Sequence, residues 1–366
     1  MRLKERTRSW IPALALAAAL APGAALAAPP VLVKLGTAAP EGSSWHRILR
    51  EMGEKWTKSS GGAVQLRIYA GGVLGDEPDM VRKMRVGQIQ SAALTAVGLA
   101  DIDRSVSALQ IPMMFDSYEE LDSVREALRP ELEKGLREKG FVVLNWGDAG
   151  WVHFFGTEPI TTPEDLKKRK LFVWAGDSSA VDLWKAAGFN PVPLAATDIL
   201  PALQTGLIDA FDTTPLLALS SQWFGLAPHM LELRWAPLVG ATVILESTWK
   251  KIPKEMRPAI REAAEEAGSR LRSEIREANE EAITAMVKHG LTLHPAGPEI
   301  TAAWRRSAEA VYPKIRGEIV PAPIFDEVVR LRDAYRASHP APPPAESTAP
   351  APGDNSPPPK SIPPPG

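Results

Sequence analysis

The sequence has no cysteine among its 366 residues. That excludes disulfides, thiol catalysis, thiolate metal sites and attachment of a lipid through a cysteine. Histidine is scarce, and the six that occur, at 46, 153, 229, 289, 294 and 339, fall at no spacing that assembles a metal site. The motifs G-x-S-x-G, H-E-x-x-H, the P-loop and G-x-G-x-x-G are all missing, so the chain offers neither a catalytic constellation nor a cofactor fingerprint. No sign of charge dominates: 42 basic residues face 44 acidic ones, without a basic stripe, which argues against nucleic acid as a partner. What remains is ordinary globular material, 45% hydrophobic and 23% charged, long enough for two domains.

Only the two ends depart from that composition. Arg2, Lys4, Arg6 and Arg8 precede an apolar run over residues 10–21 that is too short to span a bilayer. Ala25-Leu26-Ala27 then offers small residues to a signal peptidase. Residues 1–27 read as a secretory signal cleaved after Ala27, leaving a chain of net charge −5 that is exported to a bacterial periplasm and is not a lipoprotein. Residues 337–366 include twelve prolines, cannot bury a core, and are expected to form an extended, disordered tail.

Between the ends, strand-like and helix-like segments alternate. "VLVKLGT" (31–37) and "AVQLRIYA" read as strands separated by an amphipathic helix with a serine cap and a Gly-Gly stop. "QIQSAALTAV", "FVVLNW", "LFVW", "LIDAF" and "LVGATVIL" are further apolar runs of buried-strand length. This alternation predicts an α/β fold with mostly parallel sheets. From Met256 through Ile260, Ala264, Leu271, Ile275 and Ala282 to Met286 the apolar residues recur at steps of three and four. One helix over residues 255–289, roughly 50 Å long, is long enough to cross two lobes; the alternative is two helices broken near Gly268 or Ser269.

In open α/β sheets ligands bind beyond the carboxyl ends of the strands. Here those ends carry Thr37, Thr95, Trp146, Trp151, Trp174, Asp177, Asp212, Thr213 and Thr214, which are aromatic or small and polar. With Trp45 and Phe172 they form the candidate ligand-binding set, an aromatic wall with a few polar groups of the kind that lines small-molecule pockets. Asp177 or Ser178 is also placed to cap the helix that follows.

Several segments, in order, carry a family resemblance: "VKLGTAAPEGSSWH", "YAGGVLGDEPDMVRKMRVGQIQSAAL", "IPMMFDSYEEL", "PITTPEDLKKRKLFVWA", "GFNPVPLAATDILPALQTGLIDAFDTTP" and "STWKKIPKEMRPAIREAAEEA". The chain resembles the extracytoplasmic solute-binding subunits of tripartite ATP-independent periplasmic (TRAP) transporters, of the dicarboxylate-binding-protein type. The resemblance implies a two-lobed periplasmic-binding-protein fold (type II-like) bridged by the long helix. Lobe 1 would comprise residues 28–148 plus about 237–270, and lobe 2 residues 149–236 plus about 271–335. It also implies no enzyme activity, capture of a small molecule by lobe closure, and delivery to a membrane permease driven by an ion gradient. Most members carry a strand arginine that forks onto the ligand carboxylate; Phe172 stands at that position, and a second arginine of some members falls here near Trp151 and Val152. A family asparagine is replaced by the run Asp212-Thr213-Thr214. An apolar or amphipathic ligand is therefore expected, and the arginine-lacking branch further implies a tetratricopeptide-repeat partner in the periplasm. The alternatives are a small organic acid held by backbone amides, or a sensor that presents its ligand to a receptor.

Overall fold

The computed structural model describes residues 29–340. The export signal, its cleavage after Ala27 and the segment 341–366 lie outside the described residues. The expected tail boundary shifts slightly, because Ala337 and Ser338 still belong to the helix Ala322–Ser338.

Ten strands are described: β1 (Val31–Thr37), β2 (Val64–Tyr69), β3 (Ser91–Thr95), β4 (Phe141–Gly156), β5 (Lys170–Trp174), β6 (Asn190–Leu194), β7 (Ala210–Thr213), β8 (His229–Glu232), β9 (Ala236–Leu245) and β10 (Thr292–Pro295). They lie in the order β2-β1-β3-β9-β4-β7-β5-β6, with β8 pairing both β4 and β10. The outer pairings β1–β2, β1–β3, β5–β6, β5–β7 and β8–β10 are parallel, as the alternation of strands and helices requires. The pairings made by β4 and β9 at the centre are antiparallel. These two long strands are common to both lobes, so each lobe's parallel strands hang from one continuous ribbon.

The same strands explain how the lobes are joined. The β4–β9 ladder slips between Asp148 and Gly150, a bulge that falls where the sequence reading expects the first lobe to give way to the second. Gly150 has φ of 112° there, and a Cβ would fall 2.4 Å from Asn279 Nδ2. Asn279 is buried and ties the junction together: its Nδ2 donates to the Ala149 carbonyl at 2.9 Å, and its Oδ1 accepts from the Leu216 backbone N–H at 2.9 Å. Gly150→Ala is therefore expected to lower stability by more than the ~1–3 kcal/mol of a strained backbone alone, as a denaturant titration will measure.

The long helix is continuous over Arg257–Lys288, and Gly268 does not break it. Gly268 is there for close approach: a Cβ would meet the Asn145 side chain and the Trp146 carbonyl, both at 2.7 Å. Ile260, Ala264, Leu271 and Ile275 pack with the first-lobe residues Leu35, Ile48 and Trp56. Met286 and Ile283 pack with Phe155, Phe172 and Phe211 of the second lobe. One helix thus contributes apolar surface to both cores, which is the bridging role expected of it.

Candidate functional site

The carboxyl ends of β1, β2, β3, β5 and β7 converge on the seam between the lobes. A cavity of about 640 Å³ opens there, lined by residues after β1 and β2 (Ala38, Gly71), at the end of β3 (Thr95), along β4 and β9 (Asn145, Gly240) and after β7 (Thr214). A second cavity of about 240 Å³ adjoins it, and Trp174, Ala196, Leu217, Trp223 and Leu238 line both. We call the larger the outer chamber and the smaller the inner chamber. Among the described residues, no lysine, arginine or histidine lines either one.

Nine of the eleven candidate residues line these chambers. Thr37, Trp45, Thr95 and Thr214 face the outer one, Phe172, Asp177, Asp212 and Thr213 the inner one, and Trp174 both. Trp146 and Trp151 do not. Trp146 is buried against the helix Tyr118–Glu138 and donates its indole N–H to Glu133 at 3.2 Å. Trp151 packs on Tyr118 with ring centroids 5.2 Å apart and lies under the Arg234 guanidinium. The sequence reading puts both at a strand end, whereas β4 runs on to Gly156, which leaves them in mid-strand. Phe172 itself is only 1% exposed and is held among Phe155, Phe211, Ile199 and Leu203, so it is as much a core residue as a chamber wall.

The floor of the outer chamber is fastened by Glu77. Its carboxylate is buried and accepts from the Thr95 backbone N–H at 3.0 Å, the Thr95 hydroxyl at 2.8 Å and the Gly98 N–H at 2.9 Å. Burial pushes its carboxyl up and those bonds hold it back, to about 7. Complementing the helix dipole is the work of its neighbours Asp76 and Asp79, which form a capping box. At the other rim Asp177 caps the helix Ser178–Ala186, accepting from the Ala180 N–H at 2.9 Å. That helix N-terminus is already occupied by a carboxylate.

Three polar groups facing the chambers have no partner from another residue among the described residues. Asn145 Oδ1 is buried and unpaired while its Nδ2 donates to the Ala264 carbonyl at 2.9 Å. Thr214 Oγ1 is likewise buried and unpaired. Asp212 has only its own backbone N–H against its carboxylate, and burial pushes that carboxyl up to about 7. Asp148, by contrast, is fully engaged, with Arg125 Nη1 at 3.2 Å and Arg276 Nε at 2.7 Å. Trp184, Trp223 and Trp235 complete the inner chamber, and no local pattern in the chain groups them with Trp174.

This arrangement has room to enclose a small molecule, and among the described residues no nucleophile paired with a base lines either chamber. Similar proteins point the same way. A solute-binding protein of Chromohalobacter salexigens is 26% identical over 64% of this chain and 69% of its own length. The C4-dicarboxylate-binding periplasmic protein DctP of Rhodobacter capsulatus is 25% identical over 74% of this chain and 80% of its own. The crystal structure of a TRAP periplasmic solute-binding protein from Chromohalobacter salexigens with bound D-glucuronate superposes with a TM-score of 0.76 at 22% identity, covering 82% of this chain and 99% of that one. None of the described helices is long and apolar enough to cross a membrane. The family model "Bacterial extracellular solute-binding protein, family 7", DctP, matches residues 35–318, and the chain belongs to that family of periplasmic solute-binding proteins, which are not enzymes.

Proposed function

We propose that this protein captures a small amphipathic or largely apolar molecule between its lobes and delivers it to the membrane subunits of a TRAP permease. The observation that carries the ligand class is the lining of the two chambers, which lacks any described cation but includes Trp45, Trp174 and Trp223. A small carboxylate placed there would lose its water without gaining a countercharge, which is strongly unfavourable. The relatives favour the other reading: one is named for C4-dicarboxylates and another was crystallised with D-glucuronate. An acid would have to rely on backbone amides, and the best-placed helix N-terminus is taken by Asp177. Export to the periplasm and release from the residue 1–27 signal belong to the same reading. No described surface feature speaks for the tetratricopeptide-repeat partner, and it is not part of this proposal.

Calorimetry with succinate and D-glucuronate tests the ligand class. Dissociation constants in the millimolar range or weaker are expected for both; micromolar binding of either would replace this reading with an organic-acid carrier. Native mass spectrometry of the protein purified from its own periplasm supplies the positive side, where a co-purifying uncharged or amphipathic molecule is expected.

A further inference from the structure

The walls of the two adjoining chambers present hydrogen-bond acceptors that the protein itself does not answer, and Asp212 is the one in the inner chamber. Asp212 stands opposite Phe154 in the β4–β7 ladder, so the two share a face of the sheet. The Phe154 ring is stacked on Trp304 at 4.7 Å and lies 5.3 Å from Trp235 and 6.3 Å from Trp184. Trp184 and Trp235 are themselves stacked at 5.7 Å. Asp212 therefore sits beside an interlocked aromatic wall, and of these rings Trp184 and Trp235 reach the chamber together with Trp174 and Trp223.

No donor from another described residue answers this carboxylate. The neighbouring histidine, His153, is no cation either, since burial lowers its imidazole to about 4 and keeps it neutral. Asp177, on the far rim, spends its carboxylate on the helix it caps. The other unpaired groups of the joined chambers, Asn145 Oδ1 and Thr214 Oγ1, can also accept a hydrogen bond. A site with unmet acceptors, indole faces and no cation is complementary to a ligand that brings the donors and the positive charge itself.

From this geometry we propose that the ligand bears an organic ammonium group, which enters the inner chamber and pairs with Asp212 among the tryptophans while its apolar body fills the outer chamber. This rests on the amphipathic-ligand reading above and names the chemistry of the ligand's polar end. The electrostatics of the chamber fit it: burial raises the Asp212 carboxyl to about 7, and a paired ammonium lowers it again by favouring the charged form.

Three probes of one shape separate the possibilities: phenethylamine, 2-phenylethanol and phenylacetate, titrated by calorimetry into the mature chain at neutral pH, with indole fluorescence as a second readout. Phenethylamine is expected to bind roughly tenfold or more tightly than 2-phenylethanol, with phenylacetate weakest. Asp212→Asn should erase the preference for the amine, so that amine and alcohol bind alike. Its fold is not at risk, since a neutral side chain of the same size replaces an unpaired carboxylate. Equal affinity for amine and alcohol, an amine preference that survives in Asp212→Asn, or no saturable amine binding at millimolar concentration would each overturn the ammonium inference alone. Tightest binding of phenylacetate would overturn the amphipathic-ligand reading together with it.

Discussion

Asp148→Ala is expected to destabilise the protein by about 3–5 kcal/mol, the loss that follows when one partner of a buried ion pair is removed. Asp148 lies at the β4 bulge, and its side chain and that of Arg125 are each only 2% exposed. Arg276 reaches it from the long helix and also grips Asp122 with a two-pronged contact, Nη1 to Oδ2 at 2.8 Å and Nη2 to Oδ1 at 2.6 Å. The Arg276 guanidinium lies 4.0 Å above the centre of the Tyr118 ring. Four charges from strand, helix and helix are thus neutralised at the place where the lobes join. Burial pushes the Asp148 carboxyl up, and the guanidinium groups of Arg276 and Arg125 oppose that push. Truncation leaves Arg125 with only Asp122 at 2.9 Å and the exposed Glu126. At this chain length the loss corresponds to a fall in Tm of roughly 5–8 °C. The double variant Asp148→Ala/Arg125→Met, which also removes the buried charge left behind, should lose less than the single one. A single variant that melts within about 2 °C of wild type would show that the network contributes little.

Much of the architecture could be read from the residues because local and tertiary requirements coincide in them. β1 begins and ends where its apolar run does, β2 and β5 do so to within a residue, and the helix Ser44–Ser59 starts at the Ser43 cap. The long helix was legible from its apolar stripe, although Gly268 resembles a break until the approach of β4 gives that glycine a purpose. β4 was not legible beyond its first six residues. It is buried nearly throughout, so no alternation marks its course, and the bulge at Asp148–Gly150 interrupts the pattern just where it crosses between lobes. The hidden length of β4 is what misplaced Trp146 and Trp151.

The site divided along similar lines. Residues at strand ends, such as Thr37, Thr95, Trp174 and Asp212, could be located because topology fixes where strand ends meet. Glu77, Asn145 and Trp235 owe their places to distant contacts: Glu77 to Thr95 and Gly98, Asn145 to Ala264, and Trp235, through its carbonyl, to the Met113 N–H. Nothing in their own neighbourhoods marks them. The absence of an arginine at Phe172, by contrast, was readable from the family resemblance, and among the described residues no cation lines the folded chambers.

Phe172→Arg tests what that absence does. Phe172 is 1% exposed within a cluster that includes Phe155 and Phe211, whose rings stack at 5.1 Å. Removing a buried phenylalanine side chain costs about 3–5 kcal/mol by itself. A guanidinium in its place must either stay desolvated in the cluster or turn into the inner chamber, which Phe172 also lines. Asp212 is not its partner there, because Phe172 shares a sheet face with Phe211 and Phe155, whereas Asp212 shares the other face with Phe154. A loss of roughly 3–5 kcal/mol is therefore expected in urea titrations. The consequence for binding is specific. A guanidinium turned into the chamber supplies the countercharge that the described lining lacks, so Phe172→Arg should gain roughly tenfold or more in succinate affinity over wild type, as calorimetry will measure. An unchanged succinate affinity in a variant that still folds would show that the missing cation does not set the ligand class, and a wild-type protein already binding succinate at micromolar concentration would remove the reason for the experiment.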